Sequence, residues 1–238
     1  YALMFNQRTN CVYRRLKALL DSGELGALKR VTWVVTDWYR SQAYYDSGAW
    51  RATWTGEGGG VLLNQCPHQL DLLQWLCGLP TTVRAFCHEG KWHDIEVEDD
   101  VTAYLEFPGG ATGVIIASTG ELPGTNRLEI ACDRGKVVCE NGQLTLWRLP
   151  QSESAYPHAE VQVEILPLDG ENPQHVGVLN AFAAHILHGT PLVADGAEGI
   201  RALMLSNAMH LSSWTGKPVH LPIDEGEFAR LLAEKRLH

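Results

Sequence analysis

Basic clusters are missing from this sequence. Lys and Arg number 19 against 28 Asp and Glu in 238 residues, a formal net charge of −9. An acidic chain without a basic run has no electrostatic footprint for DNA or RNA. It also has no basic amphipathic helix for an anionic membrane surface. No apolar run is long enough to span a bilayer. The opening "YALMFNQRTN" lacks the layout of a signal peptide. Internal repeats and low-complexity segments are absent too. Nucleic acid and membrane are thereby excluded as partners.

Paired cysteine motifs are also missing. Cys11, Cys66, Cys77, Cys87, Cys132 and Cys139 form no CxxC and lie in apolar segments. A chain of this size does not depend on disulfide staples, so they read as reduced buried thiols of a cytoplasmic protein. No strong metal pattern is present. "FCHEGKWHDIEVEDD" brings Cys87, His88, His93 and Asp94 close in sequence, but at spacings that match no zinc site. It reads as a solvated strand edge, and no metal is assigned. "GEGGG" at 56–60 is neither a dinucleotide fingerprint nor a P-loop, and reads as tight packing at a helix start.

What is present is an ordinary core, with 45% hydrophobic residues, enough for one sizeable domain over 1–238. Val12, Leu16, Leu19 and Leu20 recur at helical spacing before Gly23 and Gly26. "KRVTWVVTDW" reads as a strand. Residues 39–56 read as a long loop. Val61–Leu76 has helical length, but Pro67 predicts a kink or broken turn near 63–67. The period then changes to two. "VTAYLEF", "ATGVIIAS", "RLEIAC", "KVVC", "QLTLWR" and "EVQVEIL" read as strands, with turns at "PGG", "DRG" and "ENG". "PQSESAYPHAE" reads as a surface loop. Helices follow at roughly 174–188, 196–215 and 225–235, with Asp195 as an N-cap. The fold class is α+β: an open, mostly antiparallel meander sheet with helices on one face. The other face of such a sheet, apolar at Val114, Ile115 and Ile116 alike, needs a partner. A homodimer or homotetramer through the sheet is the expectation. The chain opens with Tyr1 directly into the strand-like "YALMF", which suggests a part of a longer protein.

Two segments carry the candidate chemistry. The first is "EGGGVLLNQCPHQLDLLQWL". On one helix, Asn64, His68 and Asp71 would share a face. His68 is suited to proton transfer near neutral pH. Asn64 can hold a substrate hydroxyl but cannot act as a base, and Gln65 beside it joins the substrate-binding set. Asp71 either fixes the His68 tautomer or supports the structure. A fully bonded core network is the competing reading of the same spacing. The second segment is the loop "DWYRSQAYYDSGAWRATW". Its Tyr39, Arg40, Tyr44, Trp50, Arg51 and Trp54 suit a polyhydroxylated or carboxylated small molecule. The same residues would also suit an oligomer interface.

"EGGGVLLNQCPHQLDLLQWLCG" resembles the signature of the glucose–fructose oxidoreductase / inositol dehydrogenase / MocA family, a Gly-rich turn followed by Asp-x-Gly-x-His-x-x-Asp. "LKALLDSGELGALKRV", "VEDDVTAYLEFPGGATGVIIAS" and "LNAFAAHILHGTPLVADGAEGIRALMLSNAMHLSSWTGKPVHLP" resemble its other C-terminal segments in the same order. The resemblance implies the substrate-binding and oligomerisation domain of an NAD(P)-dependent oxidoreductase of sugars, cyclitols or related polyols. It implies an N-terminal Rossmann domain that holds NAD or NADP and is missing from this chain. It further implies a catalytic lysine in a Glu-Lys-Pro motif, which does not occur here. This chain alone is therefore expected to be inactive. His68 matches the signature His, and Asp71 the second Asp, read as support. Asn64 stands where many members have Asp, and Cys66-Pro67 replaces Gly and an apolar residue. A non-catalytic binding or oligomerisation module derived from such an enzyme is the alternative.

Overall fold

The computed structural model describes residues 1–149, 160–168 and 170–237. A short 3-10 turn at Asn6–Thr9 leads into α1 (Cys11–Asp21), which Asn10 caps by accepting from the Val12 amide. β1 is Leu28–Val35. Three short or broken helices follow: α2 (Gln42–Tyr45), α3 (Val61–Asn64) and α4 (Pro67–Cys77). The sheet continues with β2 (Thr82–Glu89), β3 (Glu98–Glu106), β4 (Thr112–Ser118), β5 (Asn126–Cys132), β6 (Gly135–Glu140), β7 (Gln143–Arg148) and β8 (Gln162–Ile165). The chain closes with α5 (Gln174–His188), α6 (Gly199–Thr215), a two-residue β9 (Val219–His220) and α7 (Glu225–Lys235).

The sheet runs β8-β7-β6-β5-β1-β4-β3-β2-β9. It is open, and β1–β4 is its parallel pair while the other neighbours are antiparallel. The meander is therefore interrupted: β1 sits between β4 and β5. Hairpin turns such as "PGG" and "ENG" announce strands that are neighbours in sequence, but nothing local announces an insertion. Register then sorts the faces. Ala85, Ala103, Ile115, Trp33, Leu128, Cys139 and Leu144 line up across seven strands and are all buried. Leu16 and Leu19 of α1, Leu70 and Leu73 of α4, and Leu205 and Met209 of α6 belong to the same core. The row Arg84, Tyr104, Val114, Thr32, Glu129, Val138, Thr145 and Ile165 lies on the opposite face, where Tyr104 and Ile165 are exposed and Arg84 alone turns to α6, its Nη1 donating to the Ser212 carbonyl at 3.0 Å.

Several expectations need correction. "YALMF" forms no strand, only a single bridge from Ala2 to Asp195. Residues 82–89 form β2, of which only the part from Phe86 reads as a strand edge in the sequence, because alternate side chains Val83 and Ala85 face the core beneath α6. The carboxylates of "DIEVEDD" are not all solvated, since Glu98 and Asp99 are fully buried. The donors to Glu98, described below, come from distant segments and are invisible to local reading, whereas those to Asp99 lie in the loop just before it. "PQSESAYPHAE" lies outside the described residues save Glu160. The proline break is present: Pro67 opens α4 at its first turn, where its missing N–H costs nothing. All six cysteines are free, and burial pushes the Cys77 and Cys139 thiols up to about 12, which keeps them inert. Among the described residues no group of His, Cys, Asp and Glu is placed to hold a metal, and no helix is long and apolar enough to cross a membrane.

One ion pair fastens the first turn to the helix layer. Arg8 Nε and Nη2 donate to Asp71 at 2.9 and 2.7 Å, with both side chains at most 2% exposed. Arg8 Nη1 reaches Glu198 at 2.7 Å. Asp71→Ala should destabilise the chain by about 3–5 kcal/mol, because it leaves a buried guanidinium half paired. Urea denaturation followed by circular dichroism measures it, and a loss near zero would mean the pair is solvated.

Candidate active site

β1 and β4 are parallel, so both end at the same side of the sheet, where antiparallel β3 begins. Ligands in sheets with parallel strands gather outside such carboxyl ends. The loops after β1 and β4 meet there, and two buried carboxylates secure them.

Glu98 opens β3. Its Oε2 accepts from the Gly60 amide at 2.9 Å and its Oε1 from the Leu62 amide at 3.0 Å. These are unpaired donors at the start of α3, where a negative charge is favoured. His210 Nε2 of α6 lies 3.0 Å from Oε2. Burial would raise the Glu98 pKa. The close approach of His210 and the Leu62 amide outweigh burial and hold the carboxyl below its ordinary value. Only glycine fits at position 60, since a Cβ there would stand 2.0 Å from the Glu98 carbonyl oxygen. The Gly-rich turn is thus a close backbone approach, as read from the sequence.

Asp99 organises the next loop. It accepts from the amides of Lys91, Trp92 and His93 and from His93 Nδ1 at 2.9 Å. His93 Nε2 lies 2.8 Å from the Arg40 carbonyl oxygen. Both ring nitrogens of His93 thus face oxygen atoms. The Arg40 amide donates to the Thr119 carbonyl at 2.9 Å, so Arg40 is pinned from both sides.

The expected aromatic loop partly assembles. Tyr44 is its centre: the guanidinium carbons of Arg40 and Arg51 lie 4.7 and 4.6 Å from its ring centroid. Arg51 Nη1 donates to Tyr44 Oη at 3.0 Å and lies over Trp50. Tyr44 Oη faces Asn64 Oδ1 at 3.5 Å, and Gln65 Nε2 donates to the same oxygen at 2.9 Å. Asn64 Nδ2 donates to Glu57 Oε1, while Glu57 Oε2 accepts from the Ala52 amide at 2.6 Å. Ala52 is held in the left-handed region at φ 53°, a strain of about 1–2 kcal/mol for a residue with a Cβ. Tyr39 and Trp50 are exposed beside this network. Trp54 is not: it is buried edge-on to His210 and Trp214. Glu57, His93, Glu98, Asp99 and His210 escaped sequence reading as site residues. Glu57 carried a signal as the residue opening the Gly-rich turn, and His93 stood out only within a segment weighed and set aside as a metal site.

Asn64, His68 and Asp71 do not share one helical face, because the helix breaks at Gln65-Cys66. Asn64 is exposed on α3, His68 is half-buried on α4, and Asp71 is buried. No hydrogen bond among the described residues joins His68 to either. Asp71 is committed to Arg8 and Gln74, not to the His68 tautomer. His68 meets Phe5 edge-on, and its Nδ1 is buried without a partner among the described residues. Burial, and secondarily His175, hold its pKa below the ordinary imidazole value, with Asp71 partly opposing. The ring is therefore neutral at pH 7 and able to accept a proton.

Residues 13–138 match the family model of the GFO/IDH/MocA C-terminal domain. The uncharacterized protein y4oX of Sinorhizobium fredii is 23% identical over 168 residues, 67% of this chain and 46% of that protein. The WlbA dehydrogenase of Bordetella pertussis, solved with NADH and UDP-GlcNAcA, superposes with TM-score 0.74 at 26% identity over 92% of this chain and 62% of its own. Levoglucosan dehydrogenase, in complex with NADH, shares the fold at TM-score 0.73 and 18% identity, over 92% of this chain and 65% of its own. The chain thus spans less than two thirds of each of these relatives.

Glu98→Gln tests the anchor. Gln fits the space but presents an amide NH₂ to a donor, at a cost of about 1–3 kcal/mol near neutral pH. The sign follows from the lowered pKa. The stabilisation is complete above the ordinary value of 4.5 and fades as pH falls from there through the lowered value. The gap between wild type and variant in thermal denaturation should therefore shrink below pH 4.5.

Proposed function

This chain belongs to the GFO/IDH/MocA family, as a C-terminal domain, and on that premise we propose that it forms the substrate-binding wall of an NAD(P)-dependent oxidoreductase of a sugar or related polyol. His68 carries the reading. It is half-buried, neutral at pH 7 and follows a loop dense in hydrogen-bonding and aromatic side chains. It accepts or returns the proton of a substrate hydroxyl. Asn64, Gln65, Tyr44, Arg40 and Arg51 bind and orient the substrate, with Tyr39 and Trp50 offering aromatic faces to the sugar ring. WlbA, a dehydrogenase solved with NADH and a sugar nucleotide, supports the substrate class.

The dinucleotide does not fit the residues described here. The strand–helix–strand path from β1 to β4 carries no glycine-rich phosphate turn, and the Gly-rich turn at 58–60 is filled by Glu98, whose charge would repel a phosphate. NAD or NADP falls to the Rossmann domain that the resemblance implies, and with it the lysine of the Glu-Lys-Pro motif. The uncovered sheet face, with Phe86, Tyr104, Val163 and Ile165 exposed, supports a homodimer or homotetramer through that face. A chain that assembles this way yet lacks redox activity in its full-length form would instead be a binding module.

A screen of sugars and polyols against NAD and NADP, using the longest protein that contains this chain, tests the reading. Turnover is expected, and its absence across the panel would overturn it. His68→Ala should then lower kcat roughly 10²-fold, the scale for a positioned acid–base group, with circular dichroism unchanged. Asn64→Asp should also impair turnover, because it sets a second carboxylate against Glu57. Raising activity instead would make Asn64 a weakened acid–base residue.

A further inference from the structure

We propose that the substrate carries a carboxylate, and that Arg40 and Arg51 grip it as a pair. The inference rests on the sugar-binding reading above and narrows it to sugar acids. Two cations share one aromatic ring. Their guanidinium carbons both lie within 4.7 Å of its centroid. Among the described residues neither makes an ion pair. Arg40 Nη1 reaches only the Tyr39 carbonyl, at 3.4 Å, and its Nε is buried without a hydrogen-bond partner. Arg51 spends Nε on Ser47 and Nη1 on Tyr44 Oη, both neutral.

The surrounding acids are occupied elsewhere. Glu57 accepts from Asn64 and Ala52, Asp46 from Gln42, Glu96 from the Trp54 amide and Asp99 from His93 and its neighbours. Two mutually repelling guanidinium groups without a counter-ion are destabilising, and a ligand carboxylate relieves that. The chain as a whole is acidic, so long-range attraction does not explain the pair. The placement is local and built.

It is also rigid. Arg40 is fixed at its amide by Thr119 and at its carbonyl by His93, itself held by the fully buried Asp99. Tyr45 packs against His93 at 4.9 Å and bonds Thr119 at 2.8 Å. A site fixed before the ligand arrives loses less freedom on binding. Guanidinium forks match carboxylate geometry, and the exposed Trp38 and Trp50 beside them give each arginine a fluorescent reporter.

The test is tryptophan fluorescence titration of this chain with D-glucuronate and D-galacturonate, each against its uncharged amide. Both acids should bind at least about tenfold tighter than their amides, the discrimination of one charge-assisted hydrogen bond. Raising the salt should narrow the gap. Arg40→Gln and Arg51→Gln should each remove most of it, weakening acid binding more than amide binding, with circular dichroism unchanged. Arg40→Lys should restore only part. Equal binding of acids and amides, or a preference that survives both substitutions, overturns the carboxylate grip and leaves the sugar wall standing. If neither acids nor amides bind, the sugar wall falls and the grip with it.

Discussion

Two carboxylates buried side by side at the start of β3 hold the candidate site together. Glu98 draws the turn before α3 and the body of α6 onto the sheet. Asp99 draws in the loop 91–93 and, through His93, the backbone of Arg40. Each is fully buried, and burying a carboxylate is costly unless its oxygens are met by donors. Both are met, almost entirely by backbone amides and a histidine. The charge is thus converted into position: the segments that supply donors cannot leave without stranding it. The aromatic loop and α3 are held both by these bonds and by their own buried side chains, Tyr45, Ala52 and Trp54 in the loop and Val61 and Leu62 in α3.

The mixed sheet explains why those carboxylates sit where the loops meet. With β1 inserted between β4 and β5, the ends of β1 and β4 emerge together and β3 begins beside them. A plain meander would have put the β1 loop elsewhere. The same register divides the strands cleanly, with Trp33 and Ile115 inside and Thr32 and Val114 outside. The inner face is covered by α1, α4 and α6, and the outer face keeps a mixed row in which Glu129 is neutralised by Arg30, Arg127 and Lys136.

Period and punctuation made most elements readable. Alternation from Val101 to Leu105 and the turns at 108–110 and 140–142 identify strands from short-range constraints alone. Pro67 identified the helix break for the same reason: its ring acts on the next turn of backbone. What stayed hidden depends on partners far away in sequence. The strand at 82–89 is readable only from Phe86 on, as a solvated strand edge, because what makes its first half a strand is the cover that α6 gives Val83 and Ala85. The burial of Glu98 depends on Gly60, Leu62 and His210, and that of Asp71 on Arg8, separations of dozens of residues that no local pattern encodes. Trp54 shows the converse. By composition it belongs with Trp38 and Trp50, yet its position relative to His210 and Trp214 places it in the core.

The helix break has a consequence for the division of labour. Had residues 61–76 formed one helix, Asn64 and His68 would stand one turn apart on a single rigid face, and any shift of one would carry the other. Instead α3 is tied to Glu98 at its start and to Glu57 and Tyr44 through Asn64, whereas α4 is tied to the first turn through Asp71 and Arg8. The residue suited to hold a hydroxyl and the residue suited to move its proton are therefore fixed by separate anchors. Asn64 follows the aromatic loop and the arginines; His68 follows Phe5 and the helix layer. In the proposed site the substrate contacts of the loop and the imidazole are thus set by different anchors, and the stretch Gln65-Cys66 that joins them is seated in the core by the buried Cys66.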